Sequence, residues 1–255
     1  MNRMDPAGRR RVAVTGMGIL CALGGNQREY WSALLEGRCG IGEMTLFDPE
    51  GCLSRLAAQV REIRPPDSVA RLERRRASRT DLLCLAAAEE AVAQAGLEGS
   101  GVLADFGVSL GTTTAGMLET EGYCRDGLQR GFDRVAPSRA LRFPASAPGD
   151  TLARHFGLRG PRLSNMTACA TSAVSIGFAA DLIRRGDAPG VIAGGGDGLC
   201  RMTYAGFNAL RLVDPDPCRP FDTSRKGLSL GEGAGILVLE DRDHALARGA
   251  PPFAE

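Results

Sequence analysis

Short apolar runs closed by glycines alternate along this chain with longer stretches in which apolar positions recur every three or four residues. Val12 to Thr15 (VAVT) predicts a buried strand, closed by Gly16 and Gly18. Asn26 to Glu36 has helical spacing, with Tyr30, Leu34 and Leu35 on one side and Asn26 placed to cap it. Residues 40 to 76 read as irregular. Ser78 to Ala95 is the strongest helix: Leu82, Leu85, Ala86, Glu89 and Val92 recur at threes and fours, Ser78 and Asp81 form a capping-box pattern, and Gly96 stops it. Phe106 to Leu110 predicts a strand running into the turn-rich GTTTAG. Residues 120 to 150, with Pro137, Pro144 and Pro148, read as loop, and Thr151 to Phe156 as a short helix ended by Gly157. The theme then repeats. Leu163 to Met166 leads into a cysteine, Ala170 to Arg185 is helical and ended by Gly186, and Val191 to Ala193 and Gly235 to Glu240 are buried strands. Short strands alternating with helices predict an α/β layered fold in one domain, with no linker to divide it.

Composition changes that picture little. The formal net charge of the 255 residues is +1, which gives no electrostatic case for a nucleic-acid partner. Lys226 is the one lysine, so the basic side is almost all arginine. Arg71 to Arg79 (RLERRRASR) is the densest basic run; it reads as a solvated loop and helix start, or as a docking patch for an acidic partner. The eight cysteines form no CxxC and no cysteine/histidine cluster, so no metal site is expected, and Cys84 inside DLLCLAAAEE reads as a small hydrophobe. The polar first ten residues predict no secretory signal, and no apolar run approaches the ~20 residues of a membrane span. The expectation is a cytoplasmic protein with reduced thiols. TGMGILCALGG after the first strand imitates a dinucleotide-binding turn, but the third glycine would fall at Cys21 and no acidic residue closes a second strand at the right distance. It reads as a glycine-rich strand-to-loop crossing.

The stretch NMTACATSAVSIG, residues 165 to 177, carries the chemistry. Thr167, Ala168, Ala170, Thr171, Ser172 and Ala173 are small and leave a sulfur at Cys169 approachable. The helical pattern begins at Ala170, which puts Cys169 at a helix N-terminus. Free N–H groups and the positive end of the helix dipole favour a thiolate there, and the same N–H groups can hold the oxyanion of a thioester intermediate. Gly177 is expected to allow close backbone packing under the site.

Four ordered blocks resemble the condensing enzymes of the thiolase-like superfamily, specifically the elongating β-ketoacyl-acyl-carrier-protein synthases. They are VAVTGMGILCALGGNQREYWSALLEGRCGI, FGVSLGTTTAGM, HFGLRGPRLSNMTACATSAVSIGFAADLIRRGDA with VIAGGGDG, and CRPFDTSRKGLSLGEGAGILVLEDRDHALARGA. The resemblance implies a thiolase-like layered fold, with residues 1–255 as the ketoacyl-synthase N-terminal domain of an αβαβα architecture. It implies that Cys169 takes an acyl group as a thioester from the phosphopantetheine arm of an acyl carrier protein. Malonyl-carrier then loses CO2 and its carbanion attacks that thioester. Thr114 matches a position lining the acyl pocket, polar for an aliphatic tunnel. Asp222, Arg225 and Glu232 are expected to form a structural ion-pair and hydrogen-bond network. No cofactor is implied beyond the carrier's phosphopantetheine, and family members pair as homodimers or as ketosynthase heterodimers.

The family's catalytic histidines and supporting lysine lie in its C-terminal half. The two histidines here, His155 in RHFGLRGP and His244 in an exposed-looking helix, match neither. PPFAE aligns with a strand that continues into that second half in the family. The expectation is the N-terminal half of a condensing enzyme that needs a C-terminal half or complementary chain. Two other readings stay open: a non-catalytic partner of the chain-length-factor kind, against which Cys169 speaks, and a carrier-protein-binding scaffold.

Overall fold

The computed structural model describes residues 8–64 and 77–255. Arg71 to Arg76 of the basic run lie outside the described residues. The main sheet has five strands: β1 (Val12–Cys21), β4 (Gly107–Gly111), β5 (Arg162–Asn165), β6 (Gly190–Asp197) and β8 (Gly233–Asp241), in the order β1-β8-β6-β4-β5. Pairing is antiparallel at β1/β8 and β8/β6 and parallel at β6/β4 and β4/β5. A small sheet joins β2 (Gly42–Glu43), β3 (Leu56–Ala58) and β7 (Leu230–Gly231).

The α-helices among the described residues are α1 (Gln27–Leu35), α2 (Arg79–Gln94), α3 (Met117–Arg130), α4 (Ala147–Phe156), α5 (Thr171–Arg185), α6 (Arg201–Ala209) and α7 (Arg242–Ala247). Alternate strand residues face opposite layers. Ile192, Ile236 and Val238 pack with Leu83, Ala87, Ala91 and Val92 of α2 and Leu152 of α4. Val191, Ala193 and Leu239 pack with Ala179, Leu182 and Ile183 of α5. The sheet is therefore covered on both faces, in three α/β/α layers.

The expected caps are present. Asn26 accepts from the Glu29 N–H at 2.9 Å. Ser78 and Asp81 close a reciprocal capping box, 2.7 Å from Ser78 N to Asp81 Oδ2 and 3.1 Å from Asp81 N to Ser78 Oγ. Gly186 ends α5 in the left-handed conformation at φ 81.

The strands run further through their glycines than periodicity predicts. β1 does not stop at Gly16. A β-carbon at Gly16 would lie 2.1 Å from the Ala91 carbonyl oxygen, and one at Gly18 would lie 1.9 Å from that of Ala87. These glycines let α2 lie directly on the strand, and no dinucleotide-type turn forms. The outer edge of β1 is satisfied in part by the same helix, where Gln94 accepts from Met17 N at 2.8 Å and Glu90 from Ile19 N at 3.0 Å, and in part by Phe253 and Ala254, which pair with Val14. The segment read as loop over 120 to 150 holds α3, two 3-10 turns and the start of α4. Gly122 and Gly127 lower the helical signal of α3, but a β-carbon at 127 would strike the Phe132 ring at 2.3 Å, so the glycine seats that ring. Pro148 falls in the first turn of α4, where its missing N–H has no bond to lose.

Candidate active site

The parallel strands β4, β5 and β6 end together, and their carboxyl ends carry the candidate site, the usual place for one in open α/β sheets. β5 ends at Asn165. Thr167 and Ala168 follow, a 3-10 turn spans Ala168–Ala170, and α5 begins at Thr171. Cys169 therefore stands at the tip of α5, and it is exposed. The turn is tight: Ala168 has φ 49, a left-handed conformation that costs a non-glycine residue roughly 1–2 kcal/mol. It is held by hydrogen bonds. Thr171 Oγ1 donates to the Ala168 carbonyl at 2.5 Å and accepts from Thr167 N at 2.9 Å, and Ala170 N donates to Thr167 O at 3.2 Å.

Two glycines seat the first turn of α5. A β-carbon at Gly111, the end of β4, would lie 2.3 Å from Thr171 Cγ2. One at Gly195 in β6 would lie 2.3 Å from Ser172 Oγ. Gly177, expected to serve this purpose, does not. It is exposed, and a β-carbon there would meet nothing within 4 Å. Close packing is needed where the helix crosses the strand ends, and residue 177 lies on the outer face.

Asp197, the last residue of β6, was not singled out in the sequence. Its Oδ1 accepts from Thr112 Oγ1 at 2.8 Å, Thr113 N at 2.8 Å, Thr114 N at 2.7 Å and Thr114 Oγ1 at 2.8 Å. One carboxylate thus clasps the whole TTT turn after β4. Thr114 is buried, and its hydroxyl also lies 3.1 Å from the Gly198 carbonyl. Thr113 Oγ1 reaches to 3.5 Å from the Ala168 carbonyl, so the threonine turn and the cysteine turn adjoin. Thr80 of α2 fastens both strand-end loops, donating to Ala115 O and accepting from Gly198 N at 3.1 Å.

Glu232 is structural, with partners other than those expected. Its buried carboxylate meets Arg79 at 2.5 and 2.7 Å and accepts from Val60 N at 2.9 Å and Leu199 N at 3.0 Å. Asp222 and Arg225 lie apart on an exposed loop, where Asp222 accepts from Ser224 and its carbonyl from Arg225. Ser224's hydrogen bonds hold the Asp222 carboxyl below its usual range. Arg79, the last residue of the basic run, is thus a helix-start residue tied to Glu232.

Neither histidine reaches the cysteine turn. His155 pairs through Nε2 with Glu89 of α2, on the sheet face opposite α5. His244 is less exposed than its charged neighbours suggest: Nδ1 lies 3.0 Å from the buried Glu240, and the ring stands edge-on to Phe106. All eight cysteines are free thiols, and burial pushes the Cys84 thiol well up, in keeping with a structural role.

A family model described as "Beta-ketoacyl synthase, N-terminal domain" matches residues 9–245. Nodulation protein E of Rhizobium meliloti (strain 1021) is 37% identical over 248 residues, covering 96% of this chain and 61% of that protein. The 3-oxoacyl-(acyl-carrier-protein) synthase 2 of Synechocystis sp. is 35% identical over 258 residues, covering 97% and 61%. Among solved structures, the ishigamide ketosynthase/chain length factor superimposes with a TM-score of 0.89 at 34% identity, covering 96% of this chain and 61% of that one. The chain spans about three fifths of the length of the relatives it matches.

Proposed function

The chain belongs to the beta-ketoacyl synthase family and has its thiolase-like fold, and from that premise we propose that Cys169 is the acyl acceptor of a ketosynthase reaction. The observation that carries the reading is the position of Cys169: exposed, at the N-terminal tip of α5, beside the carboxyl ends of three parallel strands. The cysteine takes an acyl group as a thioester from the phosphopantetheine arm of an acyl carrier protein. Decarboxylation of a malonyl-carrier then supplies the carbanion that attacks this thioester, in fatty-acid or polyketide synthesis. The small residues around the sulfur admit the arm. Both substrates arrive as thioesters, so the reaction asks for no metal or organic cofactor on the protein. Eight unpaired thiols suit a reducing compartment, the cytoplasm. Thr114 borders the acyl pocket in this reading, with its hydroxyl turned to Asp197 and Gly198.

Condensation also requires a C-terminal half that brings the histidines. Support comes from the outer face of α5, which leaves Ala173, Gly177 and Phe178 exposed, and from Met166 ahead of the cysteine turn, which is also exposed. Phe178 is 47% and Met166 54% exposed, a covering that another αβ layer would complete. That half comes from the same polypeptide or a complementary chain, and pairing follows the family as homodimer or ketosynthase heterodimer. A reading as a chain-length-factor-like partner or a carrier-binding scaffold asks for no reactive thiol at 169. The test is product formation from acyl- and malonyl-carrier. The 255-residue chain alone makes no β-ketoacyl product, and the same chain supplied with a C-terminal half makes it. Turnover by the chain alone contradicts the two-half requirement.

A further inference from the structure

The peptide unit that joins Ala168 to Cys169 is fastened from one side. The Ala168 carbonyl accepts from both the N–H and the hydroxyl of Thr171, the latter at 2.5 Å, and Thr113 Oγ1 stands 3.5 Å away. Thr171 is buried, its hydroxyl also receives Thr167 N, and its methyl group sits over Gly111. Thr113 is placed by Asp197, which holds its backbone N–H. No peptide bond here is cis. A trans peptide points its carbonyl and its N–H in opposite directions. Tying the Ala168 oxygen inward therefore turns the Cys169 N–H to the open side, where Ala168, Cys169 and Ala170 are exposed. That N–H precedes the first bonded N–H of the turn, at Ala170, and has no partner among the described residues.

We propose that Thr171 is a positioning residue for acyl transfer, aiming the Cys169 N–H at the thioester oxygen, with the Asp197-held Thr113 in support. The inference rests on Cys169 being the acyl acceptor. In the transfer the Cys169 sulfur bonds to the carbonyl carbon and the carbonyl π pair moves onto oxygen. Its return breaks the bond to the pantetheine sulfur, which leaves with the proton that Cys169 gave up. Negative charge sits on oxygen only in the tetrahedral stage, so a donor aimed at it speeds this step. Alkylation by iodoacetamide displaces iodide at a saturated carbon, builds no oxyanion, and does not need that N–H.

The experiment compares the full chain with Thr171→Val and Thr171→Ser. Each is exposed separately to hexanoyl-pantetheine thioester and to iodoacetamide, and modification of Cys169 is followed by mass spectrometry. Thr171→Val is expected to slow acylation roughly tenfold to a hundredfold while leaving alkylation within about twofold. Thr171→Ser, which keeps the hydroxyl, restores acylation. Unchanged acylation in Thr171→Val, an equal fall in both reactions, or no recovery with serine overturns the inference. A wild-type chain that is alkylated at Cys169 but never acylated overturns the acyl-acceptor reading itself, and this inference with it.

Discussion

Gly111 lies directly beneath Thr171: a β-carbon at 111 would come within 2.3 Å of Thr171 Cγ2, 2.7 Å of its carbonyl oxygen and 2.8 Å of Ser175 Oγ. The end of β4 and the first turn of α5 thus meet with no room for a side chain. Gly111→Ala has to push α5 outward, because one of the atoms it strikes is backbone. The expected cost is about 1–3 kcal/mol in chemical denaturation, with slower acylation of Cys169. A fully stable Gly111→Ala chain with wild-type acylation contradicts this seating.

Glu232 carries a buried ion pair with Arg79 and two backbone N–H groups, whereas Asp222 sits on an exposed loop. Glu232→Ala leaves the partly buried Arg79 guanidinium and the N–H groups of Val60 and Leu199 without their buried carboxylate, and is expected to cost about 3–5 kcal/mol. Asp222→Ala is expected to stay within about 0.5 kcal/mol of wild type. Equal losses in urea unfolding contradict the separation of these residues into two unlinked groups.

Both members of the α2 capping box, Ser78 and Asp81, are buried, and Asp81 Oδ1 has no hydrogen-bond partner among the described residues. Burial, with a smaller push from the Glu119 charge, raises its carboxyl to about 6 against the hydrogen bonds from Ser78 and the charge of Arg142. The native state therefore binds this proton more tightly than the unfolded chain does. Its contribution to stability is complete below the unfolded value near 3.8 and is lost as pH rises through about 6. Asp81→Asn keeps an acceptor for Ser78 N and removes the titration. Between pH 4 and 7 the stability of Asp81→Asn relative to wild type is expected to rise, by up to roughly 3 kcal/mol. A difference that does not change with pH contradicts the assignment.

The sequence showed local structure well and long-range structure poorly. Asn26, Ser78 and Asp81 declare their helices because a cap is a contact across three residues. Cys169 stands out because its small neighbours and the helical pattern lie within one short segment. Gly16 and Gly18 read as breaks, since only the helix crossing them reveals that the glycines lie within a strand. The Asp197 clasp joins residues more than 80 positions apart and leaves no local trace. The same holds for Arg79 with Glu232, 153 positions apart, where the nearer Asp222 and Arg225 were the expected partners.

In the proposed reaction the sulfur of Cys169 receives the acyl group. The most direct measurement is peptide mapping after the chain is mixed with an acyl-carrier thioester and digested with trypsin. An acyl mass is expected on the peptide running from Leu163 to Arg184, absent from Cys169→Ala, and none on the peptides bearing Cys39 or Cys124, which are also exposed. No adduct on the 163–184 peptide, or the same labelling at Cys39 and Cys124, contradicts the proposed reaction.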